Sequence, residues 1–366
     1  MGNTDHMSVY HSHMSAFDTS RYWSLLFALA ASVSFLPGVP AKSQAVGEIP
    51  AIGQINFFGY GGIDLQPIEA ALPIKVGAVL KIEALESTQG LIEQRIRNVI
   101  SHGPTNIDFV CCDENHHLLV FIGLGGTTSQ KPSYHPIPKG TDSLQPAALR
   151  LYEQDLDALM LATKRGSVAE DDSKGYALAT DPALRKIQTA MRAYALDRAP
   201  EFERVLKNAA DTQQRLVSAA LLGYSQRSSS QVQGLADAIL DPEPEVRNNA
   251  VRALMVLASV KQTDLRKLSV EPVEALLLSG IWSDRNKASL LLDQLTASRD
   301  PAMLRELYIT SLDAIIEGAS WRGDPGHAGA FVILLGRIAK LPEERLFPTP
   351  GAEAIADIIK QARAAY

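Results

Sequence analysis

The residues best suited to chemistry stand together at positions 111 to 117. Cys111 and Cys112 precede the polar run Asp-Glu-Asn-His-His at 113–117, and thiolates, imidazoles and carboxylates are the side chains that bind metal ions. The run lies between the apolar segments NIDFVCC and LLVFIGL, so the same five residues also have the pattern of a solvated β-hairpin loop. We favour the hairpin loop and predict no metal site.

Cys111 and Cys112 are the only two cysteines of the chain. Neighbouring side chains on a strand point to opposite faces, so a bridge between these two residues would be strained. A soft metal is the other ligand they suggest, but free cysteine also behaves as a small apolar side chain. We expect no disulfide framework.

Motifs that bring a nucleophile, a base and an orienting residue together do not occur in this sequence. The HExxH, CxxC, GxSxG and P-loop spacings are missing, and the segments GYGG and GLGG lack the strand-turn-helix context of a dinucleotide fold. The Arg-Gly-Asp at 322–324 is interpreted as a turn between helices. We therefore predict no catalytic residue and no bound cofactor.

The overall charge and its distribution exclude one class of partner. The formal net charge is -6 and the isoelectric point is near 5.8, with lysine and arginine scattered along the chain. A protein that binds nucleic acid or an anionic membrane concentrates basic residues on one surface. We expect the partners to be other proteins and not nucleic acid.

The amino-terminal 45 residues have the parts of a secretory signal peptide. Arg21 precedes the apolar run LLFALAASVSFL, and helix-breaking residues follow at 37–40. Cleavage near residue 41 or 45 would fit, and Met7 or Met14 could be the true start. An uncleaved membrane anchor is the alternative, but a span needs about 20 apolar residues. We expect an exported chain, periplasmic or secreted, with no membrane span after cleavage.

The rest of the chain divides into three zones. Residues 52–125 alternate between strand and helix signals, and 126–146 are rich in Gly, Ser, Thr and Pro, which indicates a linker. From 147 to 366 every apolar segment has helical spacing, and no strand is needed there. The predicted fold is multidomain α+β, in which a small β-α-α-β-β domain is followed by an all-α solenoid.

Within the first zone we predict an extended run from Ile55 to Ile63, a helix from the N-cap Asp64 through Leu72, and a helix from Ile82 to Ile100. An apolar stripe on the second helix comprises Leu85, Leu91, Ile92, Ile96 and Val99. Two strands around the loop at 113–117 complete the order.

That order, with the opening INFFGYGGID and the LPIKVG that closes the first helix, resembles the POTRA family, the polypeptide-transport-associated domains of the bacterial envelope. In that family the middle strand of the sequence lies at a sheet edge, where a partner segment can add itself as a strand. The predicted partner-binding edge strand comprises Ile107, Asp108, Phe109, Val110, Cys111 and Cys112. Alternation places the odd-numbered residues on one face, which the helices should cover.

A repeat emerges in the helical zone when four helices are aligned. Arg215, Arg247, Arg285 and His327 recur at intervals of 32, 38 and 42 residues, which are lengths typical of a two-helix repeat. A leucine follows each anchor seven residues later, as Leu254 does in the second copy.

The second copy, LDPEPEVRNNAVRALMVLA, resembles the HEAT-repeat family. In that family an Asp and an Arg tie neighbouring repeats together, and the resemblance implies this role for Asp241 and Arg247. The divergent last copy suits a terminal cap.

Together these features predict a non-enzymatic scaffold or adaptor for protein-protein interactions in the bacterial cell envelope, because stacked repeats build an extended binding surface. The alternative is a secreted enzyme or enzyme-maturation factor with a site on the concave face of the solenoid.

Overall fold

The computed structural model describes residues 49–366 except 114, 168, 261–264, 266–267, 322–324 and 347–349. The predicted signal peptide at 1–45, Glu114 of the polar loop, and the Arg-Gly-Asp at 322–324 lie outside the described residues.

A small three-stranded module forms the first part of the fold. Its elements, in chain order, are β1 (Ile52–Phe58), α1 (Gln66–Ala71), α2 (Leu85–Ile100), β2 (Asn106–Cys111) and β3 (Leu118–Gly123). The sheet order is β1-β3-β2, with β3 parallel to β1 and antiparallel to β2. The middle strand of the sequence, β2, therefore lies at one edge.

Several predicted boundaries in this module were wrong. The first strand spans Ile52–Phe58 and not residues 55 to 63, because Gly59 has a φ of 65° and turns the chain. The first helix begins only at Gln66, whose N–H donates to the Asp64 carboxylate outside the helix. The second α-helix begins at Leu85 after a single 3-10 turn.

The predicted apolar stripe of α2 is only partly correct. Leu85, Ile92 and Ile96 are buried, whereas Leu91 and Val99 are more than one third exposed. A helix that packs on one side of a three-stranded sheet buries one narrow face, and the two exposed residues lie outside that face.

The two cysteines are bridged, which corrects the expectation of separate thiols. A disulfide joins Cys111 to Cys112 across a cis peptide, with the Cα atoms 3.0 Å apart. The argument from alternation assumed that both residues belong to one strand. The strand β2 ends at Cys111, so Cys112 lies beyond the predicted edge strand.

Eleven α-helices follow among the described residues. They are α3 (Pro146–Lys164), α4 (Pro182–Ala195), α5 (Ala199–Asn208), α6 (Thr212–Leu222), α7 (Ser229–Asp237), α8 (Pro244–Ala258), α9 (Glu271–Leu277), α10 (Trp282–Thr296), α11 (Pro301–Ala319), α12 (Pro325–Ile338) and α13 (Ala352–Arg363).

The aligned helices stack in sequence order, with α6 against α8, α8 against α10 and α10 against α12. The intervening helix α9 packs on α11. This layering of two-helix units is a helical repeat solenoid.

Two short strands interrupt the helical region, where none was predicted. β4 (Glu170–Asp171) and β5 (Leu178–Ala179) pair antiparallel across the acidic turn between α3 and α4. Such two-residue strands carry no hydrophobic period, so pattern reading did not detect them.

Both faces of the sheet are buried, and different cores cover them. Ile107 and Phe109 of β2 pack with Ile92 and Ile96 of α2, while Val110 belongs to the core of the solenoid. Every residue of β3 is buried. The sheet is therefore enclosed between its own two helices and the repeats.

Across the part of the chain that the structure describes, no helix combines the length and the apolar character needed to cross a membrane.

We predict that Leu254→Ala lowers the free energy of unfolding by about 2 to 5 kcal/mol, because truncation of a fully buried leucine loses transfer energy and leaves a cavity. Chemical denaturation of the full chain measures the change. Leu161→Ala is the control, since half of that side chain is exposed, and its effect should stay within about 0.5 kcal/mol. Equal effects of the two substitutions would contradict the packing of α8.

Candidate functional site

Three arginines occupy the fourth position of the first helix in consecutive repeats and make similar contacts. Each guanidinium donates to backbone carbonyls of the turn before its helix and to a carboxylate, which lies near the start of the next repeat for Arg215 and Arg247 and in the last turn of α11 for Arg285. We call this set the arginine ladder. Its pairs are Arg215 with Asp241 at 2.8 Å, Arg247 with Asp284 at 2.8 Å, and Arg285 with Glu317 at 3.3 Å.

All three arginines are buried, so each ion pair stabilises the fold only if its hydrogen bonds are complete. Removing a guanidinium and a carboxylate from water costs several kcal/mol each, and the attraction between them compensates only when the remaining hydrogen bonds are also made. Arg247 meets this condition with two donors to Asp284 and two contacts to the carbonyls of Asp241 and Pro242. The ladder thus fixes the register of each repeat on the next.

The segment predicted as a linker lies against the ladder. The N–H groups of Gln130, His135 and Gly140 donate at 2.8 Å to the carbonyls of Leu278, Leu240 and Asn208. Five residues of this segment, which we call the strap (residues 126–145), therefore cover one repeat, and the strap crosses the repeats in reverse order. Its backbone occupies acceptors at three successive repeat turns.

Tyr134 fastens the middle of the strap to the ladder. Its ring lies 4.1 Å from the guanidinium carbon of Arg247, and its hydroxyl donates to Asp284 at 3.2 Å. Both members of one ladder pair are thus covered by a single strap residue. A surface that the repeats could have offered to a partner is filled by the protein itself.

Glu317 is the point at which the ladder, the strap and the sheet meet. Its carboxylate accepts hydrogen bonds from the N–H groups of Gly59 at 2.7 Å and Tyr60 at 3.1 Å, and from the hydroxyl of Thr128 in the strap. Arg285 donates to the same carboxylate and also to the backbone oxygen of Thr128.

Burial opposes both charges of this last pair. Burial lowers the pKa of Arg285 to about 10, although the nearby Glu317 acts in the opposite direction. Burial also raises the pKa of Glu317, against the hydrogen bond from Thr128 and the charge of Arg285. The pair therefore depends on a full set of donors and not on its charges alone.

The glycine after β1 allows the sheet to approach Glu317. Gly59 adopts a φ of 65°, and a Cβ atom there would come within 2.6 Å of the Leu124 backbone oxygen. A side chain at this position would separate β1 from the segment after β3. This close contact explains the glycine that follows the two phenylalanines in the segment INFFGYGGID.

An aromatic cluster covers the sheet face that looks toward the repeats. Phe121 of β3 stacks on Trp282 with 4.7 Å between ring centroids and meets Trp321 edge-on at 5.0 Å. His327, the divergent anchor of the fourth copy, contacts Phe121 at 5.6 Å. That copy thus packs on the sheet.

The two edges of the sheet differ. Ile52 of β1 is hydrogen-bonded on its outer side to Gly77 and Ala78, and the Phe57 carbonyl accepts from the indole N–H of Trp321. For β2, the backbone hydrogen bonds found within the described residues all run to β3. The outer side of β1 is thus hydrogen-bonded near both of its ends, whereas β2 has no backbone partner other than β3 among the described residues.

Asp108 lies half-buried on β2, on the face that Val110 turns toward the repeats. Burial raises the pKa of Asp108 to about 7; Asn106 lowers it by a hydrogen bond, and Glu245 and Asp284 raise it further. The edge strand β2 is therefore flanked by negative potential on its solenoid side.

The structure separates the predicted site residues into two groups. Asp241, Arg215, Arg247 and Arg285 lie in the ladder, and Leu254 lies in the core between them. The edge-strand residues 107–111 lie on β2. At the start of this strand, the Asn106 side-chain oxygen accepts from the backbone N–H of Trp282 at 3.0 Å.

Sequence reasoning missed Glu317 and Tyr134. Glu317 ends a long apolar helix and Tyr134 stands among prolines, so neither has a local pattern that marks its partner. One pattern could have indicated Glu317. Arg285 aligns with Arg215 and Arg247, which each pair with an acid, so Arg285 also needed an acidic partner.

The polar loop is held by Asp113. Its carboxylate accepts from the N–H groups of Asn115 and His117 and lies 3.2 Å from the His117 ring nitrogen Nδ1. These are contacts of a tight turn. Where the structure describes the chain, no three His, Cys, Asp or Glu side chains are grouped to hold a metal ion.

No protein-family model matches this chain, and no curated protein is significantly similar to it. Among solved structures, a designed armadillo repeat protein, YIII(Dq)4CqI, is similar over 50% of this chain and 94% of its own, with 14% sequence identity and a TM-score of 0.35. That likeness carries no argument about function.

We predict that Glu317→Gln lowers the free energy of unfolding by about 3 to 5 kcal/mol, because it leaves the buried Arg285 without a counter-charge. Denaturation of the full chain measures this loss, and hydrogen exchange at Gly59 and Tyr60 should accelerate. Glu306→Gln on the same helix is the control, since Glu306 is exposed. Unchanged exchange at Gly59 in the Glu317 variant would disprove the role assigned to this carboxylate.

Proposed function

We propose that this protein is a non-enzymatic adaptor of the bacterial cell envelope, which binds an extended segment of another protein as an added strand at β2. The observation that carries the proposal is the difference in hydrogen bonding between the outer sides of β1 and β2. The outer side of β1 is occupied by Gly77, Ala78 and Trp321, while β2 pairs only with β3 within the described residues.

Strand addition is the mode of binding that this edge favours. An open edge carries unpaired N–H and C=O groups, and an extended segment gains main-chain hydrogen bonds by pairing with them. The side chains of β2 are fully or partly buried on both faces and offer few groups to a partner, so pairing through the main chain is the contact that we propose. Affinity would come from the backbone, and selectivity from the few side chains beside it.

The chemistry beside the edge favours a basic residue in the partner segment. A residue opposite Asp108 on an added strand would lie on the same face, at cross-strand distance. Glu245 and Asp284 add negative potential there. A lysine or arginine would neutralise Asp108, whereas a glutamate would be repelled.

Both family resemblances support this proposal at the level of architecture. The β-α-α-β-β order and the edge position of β2 agree with a POTRA-like module. The contacts of Asp241 and Arg247 with neighbouring repeats agree with a HEAT-like solenoid. Export is proposed from the signal-peptide pattern at 1–45.

The solenoid serves as the rigid support in this proposal. Glu317 and Trp321 hold the end of β1, and Trp282 donates to Asn106 at the start of β2. A pre-organised edge loses little conformational freedom when a segment binds, which favours affinity.

The test uses the full mature chain and a panel of synthetic extended eight-residue peptides with alternating Val and Thr, each carrying Lys or Glu at one position. We expect the best Lys peptide to bind about fivefold more tightly than its Glu counterpart, since cross-strand charge pairs contribute on the order of 1 kcal/mol. Titration calorimetry measures affinity, and hydrogen exchange locates protection at residues 107–111.

Asp108→Asn is the matched variant and should abolish the preference for Lys while leaving backbone pairing intact. The preference should also grow from pH 6 to pH 8, because Asp108 ionises with a pKa of about 7. Protection that appears elsewhere than β2, or binding without any protection, would show that the edge is not the site.

A further inference from the structure

Both cysteines of the chain form a single bridge between adjacent residues, Cys111 and Cys112. A disulfide stabilises a fold largely by shortening a loop of the unfolded chain, and the effect grows with the number of residues that the loop encloses. This bridge has a sequence separation of 1 and encloses no residue. Loop closure therefore gives it little effect on stability, and a role beyond stability has to come from its position.

The bridge lies where the edge strand ends. Cys111 is the last residue of β2 and pairs with Leu118 of β3, a register that would pair Cys112 with His117. The N–H of Asp113 donates instead to the His117 carbonyl at 2.9 Å, which is one residue out of that register. Cys112 is thus an extra residue without a cross-strand partner among the described residues, which is a β-bulge.

The bond between the two sulfur atoms holds this bulge. Neighbouring side chains on a regular strand point to opposite faces. Two joined side chains have to lie on the same side, so Cys112 cannot continue the strand while the bridge is intact. Cleavage of the bridge removes this restraint and allows Cys112 to pair with His117 in the register of β2 and β3.

The bulge also decides where the outward backbone groups of β2 stop. The N–H of Leu118 donates to Ala51, just before β1, so the opposite residue Cys111 directs its own N–H and C=O away from β3. By alternation the next residue with outward groups would be Asp113. The bulge turns the Asp113 N–H inward, to His117.

A bulge at the end of an edge strand hinders strand addition. Bulges twist an edge away from the regular form that another strand needs, and native proteins use them to protect their edges. A regular register would turn the Asp113 N–H outward beyond Cys111. An added strand would then gain a further main-chain hydrogen bond.

We propose that the Cys111–Cys112 bridge is a site of thiol–disulfide exchange that regulates strand addition at β2, with a dithiol as the reductant. This inference rests on the adaptor function proposed above. The oxidised form keeps the bulge and binds a partner segment weakly. The reduced form extends the edge and binds the segment more tightly.

The exchange begins at the more exposed cysteine. Cys111 is 4% exposed, whereas Cys112 is only partly buried, so a thiolate of the dithiol attacks the Cys112 Sγ. The S–S bond breaks, Cys111 leaves as a thiolate and takes up a proton, and a mixed disulfide joins Cys112 to the reductant. The second thiol of the reductant then displaces Cys112 as a thiol. The protein gains two electrons and two protons, and the reductant becomes a cyclic disulfide.

Hydrogen exchange of the free full chain tests the structural step. Dithiothreitol is the reductant, and its oxidised cyclic form is the control. Thiol titration of the denatured chain should count no thiol before reduction and two afterwards. In the reduced chain we expect the Cys112 amide to exchange about tenfold more slowly and the Asp113 amide to exchange faster, because the hydrogen bond to His117 passes from Asp113 to Cys112.

Peptide binding tests the regulation. The reductant is removed under nitrogen, and the Lys peptide that binds best is titrated into the oxidised and the reduced chain. We expect the reduced chain to bind about fivefold more tightly or better, since one additional main-chain hydrogen bond is worth about that factor. Protection by the peptide should extend from residues 107–111 to Asp113 in the reduced chain only.

Cys112→Ser is the matched variant, because it cannot form the bridge and changes a side chain outside the buried core. It should bind the peptide as the reduced chain does, and dithiothreitol should leave its affinity unchanged. An effect of dithiothreitol on the affinity of this variant would mean that the reductant acts elsewhere, and would overturn the proposal.

The outcomes separate this inference from the adaptor function. Equal affinities of the oxidised and reduced chains, with protection at β2 in both, would overturn the regulation and leave the adaptor function in place. Unchanged exchange at Cys112 and Asp113 after reduction would overturn it whatever the peptides do. A peptide that binds neither form would contradict the adaptor function itself, and the regulation with it.

Discussion

The fold depends on the requirement that the buried carboxylate of Glu317 be saturated with donors. Its donors come from three separate parts of the chain: the turn after β1, the strap and the ladder. A carboxylate taken out of water is tolerated only with such a set of partners. Each of the three parts is therefore placed by the same group, and a shift of one of them leaves the others unsatisfied.

The remaining ladder pairs follow the same logic along the solenoid. Arg215 and Arg247 each connect a repeat turn to the acid of the next repeat, so helix stacking has a defined register. Apolar packing alone would permit sliding between Ala-rich and Leu-rich helices. Buried ionic groups are retained in some proteins because they specify one arrangement, and the repeated geometry here is consistent with that use.

Local patterns predicted those parts of the fold that local physics determines. Helical spacing, the hairpin signal around residues 113–117 and the recurrence of Arg215, Arg247 and Arg285 were all readable. Contacts such as Gly59 with Glu317 are 258 residues apart and leave no periodic trace. The strap was interpreted as a linker because Pro and Gly mark a lack of regular structure, which an extended segment bound through its backbone also has.

One pattern in the sequence indicated more about the sheet than we inferred from it. The run LLVFIGL in β3 has no polar alternation, and an uninterrupted apolar strand is typical of a sheet buried on both faces. The second face required a covering element, and only the solenoid was available.

The contact between the sheet and the last repeats changes how this solenoid must assemble. Repeats that contact only their neighbours can fold one by one as the chain emerges. Here the face of β3 that carries Phe121 is covered by Trp282, Trp321 and His327, which are synthesised more than 150 residues after it. The sheet therefore keeps an apolar face uncovered until these helices have been made, and the repeats close over it as one cooperative unit.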